Sequence, residues 1–366
     1  MSSLKESRCD DADERGNQAE EQARYAVQGK MLDACRYWLA RVVTRAVFGS
    51  AVCGPAIGKD VKLVIRPQKA PAELGKWSLL PSEQSLIDGD AVPLYEKAVK
   101  ALPSKTDDDL IRIWLDVPLR LLPVQRVQQA LQHYDESFRY AGLAARCRQS
   151  NWAQWRPGIP VPYRKEYRRI VFANRLWTRL EIANDRYEEA ILALQTGFGM
   201  AKHLGHAPAI VQVMIGTAIG QVGCGEVEAL VQRKEAPNLQ LALASLPKPF
   251  VDLESAIGNE MTIASSYGEL TTGEKVAQDQ CRMRVKRFHV NLAALECVEA
   301  IRSYAASHGG RLPQSLAEME GTSLPKDPTS GAPFRHTRTG ATAVLESPAP
   351  AGDEEGGLRY KILVKN

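Results

Sequence analysis

The chain lacks most of the arrangements that announce a chemistry. No two of its seven cysteines are spaced C-x-x-C, which argues against a zinc ribbon or a thioredoxin-type site. There is no Walker-type phosphate loop and no G-x-S-x-G elbow, so neither a P-loop NTPase nor an α/β-hydrolase is expected. Gly197-Phe-Gly199 has no third glycine and no strand pattern before it, as a dinucleotide loop requires. His203 and His206 form H-x-x-H without the second-position Glu of a zincin, and Gly205 marks a helix end beside them. Ser323 and Lys326 fit S-x-x-K, but Pro325 between them forbids the helical turn that the motif needs. A concentrated Lys/Arg stripe is also missing. The formal net charge of +4 is spread thinly over 366 residues, which gives no reason to expect nucleic acid as a partner. No catalytic residue, metal ligand or cofactor is assigned on this basis. A hydrolase or lyase built on isolated carboxylates, acting on cell-wall or polysaccharide material, stays open as an alternative.

What is present is an ordinary globular composition, with 25% charged and 44% hydrophobic residues, long enough for two domains. Residues 1–30 are polar and carry no sustained apolar face, and are expected to be a disordered tail or an extension upstream of the true start. Residues 31–57 resemble an export leader. Arg36 and Arg41 precede an uncharged run over residues 46–58, too short to span a bilayer but suited to the core of a secretory signal. The competing reading is a short amphipathic helix, because Cys35, Leu39, Val42 and Ala46 share one face. A leader places the protein in the periplasm or envelope, with the cytoplasm as alternative and membrane contact confined to the leader. Cys147, Cys224, Cys281 and Cys297 read as buried thiols, or as the source of one disulfide in an oxidising compartment.

From about residue 85 to 285 the apolar period is helical. Val124, Val127, Leu131, Tyr134 and Phe138 recur at alternating spacings of three and four, which predicts one helical stripe. Thr106 before Asp107, Asp108 and Asp109 reads as a helix start, with carboxylates at its positive end. Two helical patterns flank the turn signal Asn184-Asp185. The second, through Tyr187, Ile191, Leu194, Phe198 and Ala201, is expected to end with Gly205 in a left-handed cap. A short connection forces such helices antiparallel. Residues 207–225 carry no charge over nineteen positions; Gln212, Gln221 and the glycines favour a buried helix over a membrane span. Between helices, Pro157, Pro160 and Pro162 interrupt an aromatic–basic stretch. Trp152, Trp155, Arg156, Tyr163 and Arg164 are the candidate binding residues there, for a peptide, glycan or anionic polymer. The alternative is that the tryptophans only pack over the helical layer.

The segment Asn184–Ile191, with Tyr187 and Ala190, resembles the second helix of a tetratricopeptide unit, and residues 91–103 resemble a fragment of another. Trp177, Thr178 and Glu181 depart from that family's first helix. The resemblance implies stacked helical hairpins without a regular repeat. Downstream, a long helix ending at Gly309-Gly310 hands over through Pro325, Asp327-Pro328, Gly331 and Pro333 to short strand patterns, with Thr339-Gly340 as a tight turn. Tyr304, Gly310-Arg311-Leu312-Pro313, Leu324-Pro325, Asp327-Pro328 and Pro333-Phe334 resemble the globular half of type II secretion pseudopilins. The basic, internal segment before them departs from a pilin's N-terminal apolar helix. Some pseudopilins bind calcium through loop carboxylates, and Asp353, Glu354 and Glu355 are the matching loop here, more simply a solvated acidic turn. The chain as a whole is similar to uncharacterised exported proteins of bacterial envelopes.

The expected architecture is mainly α: an irregular α-hairpin solenoid over 58–285, followed by a small α+β domain over 286–366. The expected function is a non-enzymatic protein-interaction scaffold of the cell envelope, with a protein or peptide partner. Besides the hydrolase or lyase, an accessory factor of a secretion apparatus is an alternative resting on the pseudopilin resemblance.

Overall fold

The computed structural model describes residues 59–73, 75–104, 108–152, 164–264, 272–319, 323–349 and 357–365. Among them the chain is mainly helical, with ten α-helices, a small sheet of four strands and a two-stranded pair. The tail and leader expected at 1–57, the residues Thr106 and Asp107, and the acidic loop Asp353 to Glu355 lie outside the described residues.

The first described element is a strand, β1 (Lys59–Ile65), where a helical hairpin is expected from the sequence. The physical reason is a period of two: Val61, Leu63 and Ile65 point one way, and Leu63 and Ile65 are fully buried. β2 (Ile87–Asp90) leads straight into α1 (Ala91–Lys100). The Asp90 carboxylate caps α1, accepting from the Val92 N–H at 3.1 Å. Then come α2 (Asp108–Asp116), α3 (Val124–Gln132), α4 (Asp135–Ala145) and β3 (Cys147–Gln149), which pairs in parallel with β2.

The single stripe expected from Val124 to Phe138 is divided between α3 and α4, with a turn at His133-Tyr134. Asp135 and Glu136 start a fresh helix, because carboxylates favour the positive end of one. The stripe still serves one core: Val127, Leu131, Tyr134 and Phe138 are all buried together with Ile111 and Trp114 of α2.

α5 (Arg164–Ala183) and α6 (Tyr187–Gly205) form the expected antiparallel hairpin. Asp185 takes a positive φ of 57° in the turn, and its carboxylate accepts from the Tyr187 hydroxyl at 2.8 Å. α5 has two working faces. Phe172, Ala173, Leu176 and Leu180 close the core under α2, α3 and α4, while Tyr167, Ile170 and Val171 join a larger core. α7 (Ile210–Leu230), the uncharged stretch, runs through the middle of that larger core. Gly205 is not a left-handed cap. It is the last helical residue of α6, followed by His206 at φ −113°. Its bareness is needed for contact: a Cβ there would lie 3.0 Å from the Val251 Cβ, and Gly216 of α7 is bare for the same reason, since its Cβ would lie 2.6 Å from the Gly205 amide nitrogen.

After α8 (Gln240–Ala244) and α9 (Leu253–Ala264), α10 runs unbroken over Thr272–Ser307, so the expected boundary at 285/286 falls inside one helix. Gly309 and Gly310, both at positive φ, follow its end. β4 (Arg335–Thr339), β5 (Thr342–Ser347) and β6 (Leu358–Val364) form an antiparallel meander. β1 adds to it in parallel beside β6, giving the order β1-β6-β5-β4. Strands from the two ends of the described chain therefore build one sheet. Its inner face meets α7 through Tyr360, whose hydroxyl donates to Glu228 at 2.6 Å.

A buried ion pair locks this junction. Arg302 and Glu299 of α10 are both fully buried. Arg302 donates to the Arg66 carbonyl at 2.7 Å, the Pro237 carbonyl at 3.0 Å and Glu299 Oε2 at 3.2 Å. Glu299 also accepts from the Leu239 N–H at 2.9 Å. Burial raises the Glu299 pKa, and the Arg302 charge opposes that rise. One guanidinium thus ties the exit of β1 and the loop before α8 to α10.

Candidate functional site

Of the five candidate binding residues, Trp152 is placed in the interior. Its indole N–H donates to the His203 carbonyl at 3.2 Å, and its ring stacks on Tyr95 at 6.2 Å. Trp155, Arg156 and Tyr163 lie outside the described residues, and Arg164 is placed by its backbone alone, at the start of α5. Trp152 is therefore part of the core and not of an exposed patch.

His203 and His206 face apart. His206 is exposed. His203 is buried between two partners, with Nε2 3.0 Å from the Cys147 carbonyl and Nδ1 2.9 Å from the Tyr95 hydroxyl. A carbonyl only accepts, so Nε2 carries the proton and Nδ1 accepts from Tyr95. Burial pushes the His203 pKa down to about 4, so the ring is neutral near pH 7. Both nitrogens are engaged by the fold, which makes this histidine a strut between α1, α6 and β3. Ser323 and Lys326 are exposed on a loop with no helical turn. Asp108 accepts from Arg169 at 2.9 Å and from the Tyr134 hydroxyl at 3.1 Å, a structural role at the start of α2. The four described cysteines are buried thiols in no disulfide, Cys147 opening a strand and the others on helices.

The feature with the shape of a binding site lies elsewhere. A groove of about 670 Å³ runs between α3 and α4 on one side and α5 and α6 on the other, a size in the range of roughly 300–1,000 Å³ that binding clefts occupy. Its origin is local. α4 and α6 touch closely at one end, where a Cβ on Gly199 would lie 3.0 Å from the Ala145 carbonyl. Gly142 faces Thr196 with no side chain of its own, which deepens the floor. Phe138 and Trp177 stack at 5.1 Å and form an aromatic bed. Leu192 of α6, 54% exposed, lines the same groove. Gln128 and Gln132 supply amides on the α3 wall, while across the groove Gln195 already donates to the Ser78 carbonyl at 2.8 Å.

Two carboxylates line the groove, Asp135 and Glu181. Glu181 is buried and held on both oxygens. Its Oε1 accepts from the Trp177 indole at 3.2 Å and from Arg186 at 3.0 Å, and Oε2 accepts from the Arg186 Nε. A carboxylate clamped this way is an acceptor already in use, with geometry suited to fixing Trp177 and the α5–α6 turn. Asp135 is exposed in the first turn of α4.

The sequence reading missed the groove. Trp177 drew notice only as a departure from a family pattern. Leu192 carried a usable signal: it is a large apolar residue off the stripe that α6 buries, and such residues need another reason to be there. Compared with known proteins, the chain matches no family model, no curated protein and no solved structure.

Proposed function

We propose that the protein is a non-enzymatic interaction scaffold that seats an apolar side chain of a protein or peptide partner in the groove between α3–α4 and α5–α6. The observation that carries this reading is a groove lined by the stacked Phe138–Trp177 pair, with Trp177 half-buried, and by the exposed Leu192. Stacked rings in a concavity offer a large apolar contact at small conformational cost. The Gln128 and Gln132 amides on the α3 wall suit a peptide backbone, which presents N–H and C=O groups in alternation. The carboxylate pair that a hydrolase needs is a poor fit, because both oxygens of Glu181 are committed to Arg186 and Trp177. The envelope location expected from residues 31–57 is part of the same proposal.

The test is selection of random displayed peptides on the immobilised full-length protein, followed by Kd measurement on a synthetic consensus peptide. The expected result is a family of peptides sharing an aromatic or large aliphatic residue. Leu192→Asp should weaken their binding about tenfold or more, because an apolar anchor then meets a charge. No enrichment, or binding indifferent to Leu192→Asp, sinks the reading.

A further inference from the structure

We infer that the groove reads its partner with a direction, taking an apolar anchor on the Phe138–Trp177 bed and a side-chain carboxylate, Asp or Glu, at Arg139 and Arg146 on the α4 rim. This rests on the function proposed above and specifies the partner's chemistry.

The argument is one of charge left over after internal pairing. Five charged residues line the groove: Asp135, Arg139, Arg146, Glu181 and Arg186. Glu181 and Arg186 satisfy each other. The remaining three all belong to α4 or its C-cap, and they are sorted by sign. Asp135 stands in the first turn, where the positive helix end offsets its charge. Arg139 and Arg146 lie further along, seven residues apart, which is two helical turns and roughly 10 Å on one face. Both are exposed at the rim. Arg139 keeps a loose contact with Glu136 at 3.6 Å between two exposed side chains. Such pairs are worth about 0–1 kcal/mol, so a better-placed carboxylate can displace Glu136. The Arg139 guanidinium also rests over the Tyr140 ring at 4.4 Å, which holds its planar face in place.

Between the two arginines lies Gly142, whose missing side chain leaves room toward Thr196. A segment whose apolar side chain enters over Phe138 therefore passes Gly142 and brings its next residues toward Arg146. A cation at that end meets like charge, and a carboxylate meets two exposed guanidinium groups, that of Arg139 held only by its loose contact with Glu136. The opposite orientation places the carboxylate beside Asp135. The sign gradient along α4 thus favours one direction of entry.

The experiment uses the same displayed library on the full-length protein and on the R139E/R146E variant, both checked for unchanged thermal unfolding. Expected for the native protein is a consensus with an apolar residue followed or preceded at fixed spacing by Asp or Glu. Replacing that acid by Lys in the synthetic peptide should weaken Kd about tenfold or more, and R139E/R146E should recover the Lys peptide. Raising salt should weaken the native pair, since the charges sit at a solvated rim. An enriched consensus without acid, or charge swaps that leave Kd within about twofold while Leu192→Asp still abolishes binding, overturns the directional reading and leaves the scaffold standing. Loss of all enrichment overturns both.

Discussion

The helices around α7 and those around α4 solve opposite problems. Near α7 the backbones touch: Gly216 meets the α6 backbone at Gly205, and Gly220 faces the Phe288 ring of α10. Ions are admitted there only when tied down, as Arg302 is by Glu299 and three carbonyl groups. Near α4 the close contact is confined to one end, where Gly199 meets the Ala145 backbone, and beyond it a cleft leaves Leu192 exposed and Trp177 half-buried. A chain that can bring helices into backbone contact, yet leaves a cleft beside them, has spent its close packing on rigidity in one place and left the other for contact with something else.

The sharpest way to break that comparison is at Arg302. Arg302→Met leaves Glu299 buried without its cation, and the loss should be about 3–5 kcal/mol in urea-induced unfolding. Hydrogen exchange should rise first at residues 66–70 and 236–239, the segments that the guanidinium holds. The double variant with Glu299→Leu should recover part of the loss, because no unpaired ion remains. A loss under about 1 kcal/mol means that water reaches the pair and that the region around α7 is looser than described.

The glycines of α7 test the same region by sign. Gly216→Ala pushes a methyl group to 2.6 Å from the Gly205 nitrogen and 2.7 Å from the Ala201 carbonyl. Backbone atoms cannot swing aside, so the cost should be about 1–3 kcal/mol. Gly225→Ala, on the same helix with nothing within 4 Å, should stabilise by up to about 1 kcal/mol through helix propensity. Equal effects at both positions remove close packing as the reason for the glycines.

Both regions were partly legible before any coordinates, and unequally. The α5–α6 hairpin, the buried α7 and the final three strands follow from local pattern: a turn at Asn184-Asp185, an uncharged run broken by Gln and Gly, and alternation over residues 342–347 and 358–364. β1 was overlooked although Val61, Leu63 and Ile65 alternate, because its partner β6 lies about three hundred residues downstream and no local turn announces the pairing. Trp152 shows the limit of composition as a guide. Aromatic residues beside arginines and prolines suggest a gripping patch, but whether the ring faces out depends on Tyr95, Tyr167 and His203, which come from three other helices. The groove has the same character: its four walls are four helices, and no short window contains it.

A smaller effect comes from pH. Glu260 of α9 caps the start of α7, accepting from the Ile210 N–H at 2.8 Å, and burial raises its pKa from 4.5 to about 7. Its contribution to stability is therefore fully present below pH 4.5 and is lost as pH rises through about 7, since the unfolded chain gives up that proton earlier. His203 and His289 have the opposite sign. Burial lowers both from 6.5 to about 4, so their contribution is full above pH 6.5 and is lost as pH falls through about 4. Glu260→Gln keeps a neutral acceptor at the helix end and removes the first loss. Relative to the native protein it should gain about 1 kcal/mol, or a few degrees in Tm, between pH 5 and pH 6. A parallel pair of Tm curves means that solvent already hydrates this carboxylate.

The smallest change in stability should come from the other region and carry the largest functional consequence. Leu192 buries little of itself in the fold, being 54% exposed on the outer side of α6. Leu192→Ser should alter unfolding free energy by no more than about 0.5 kcal/mol, as surface substitutions do. A core residue of the same helix, Leu194 at 3% exposed, should instead lose about 2–5 kcal/mol when cut back to Ala. If Leu192→Ser proves as costly as Leu194→Ala, the leucine packs against part of this chain and the cleft is closed. If it costs nothing and the selected peptides no longer bind, a leucine that does nothing for the fold is present for the sake of what lies across from it.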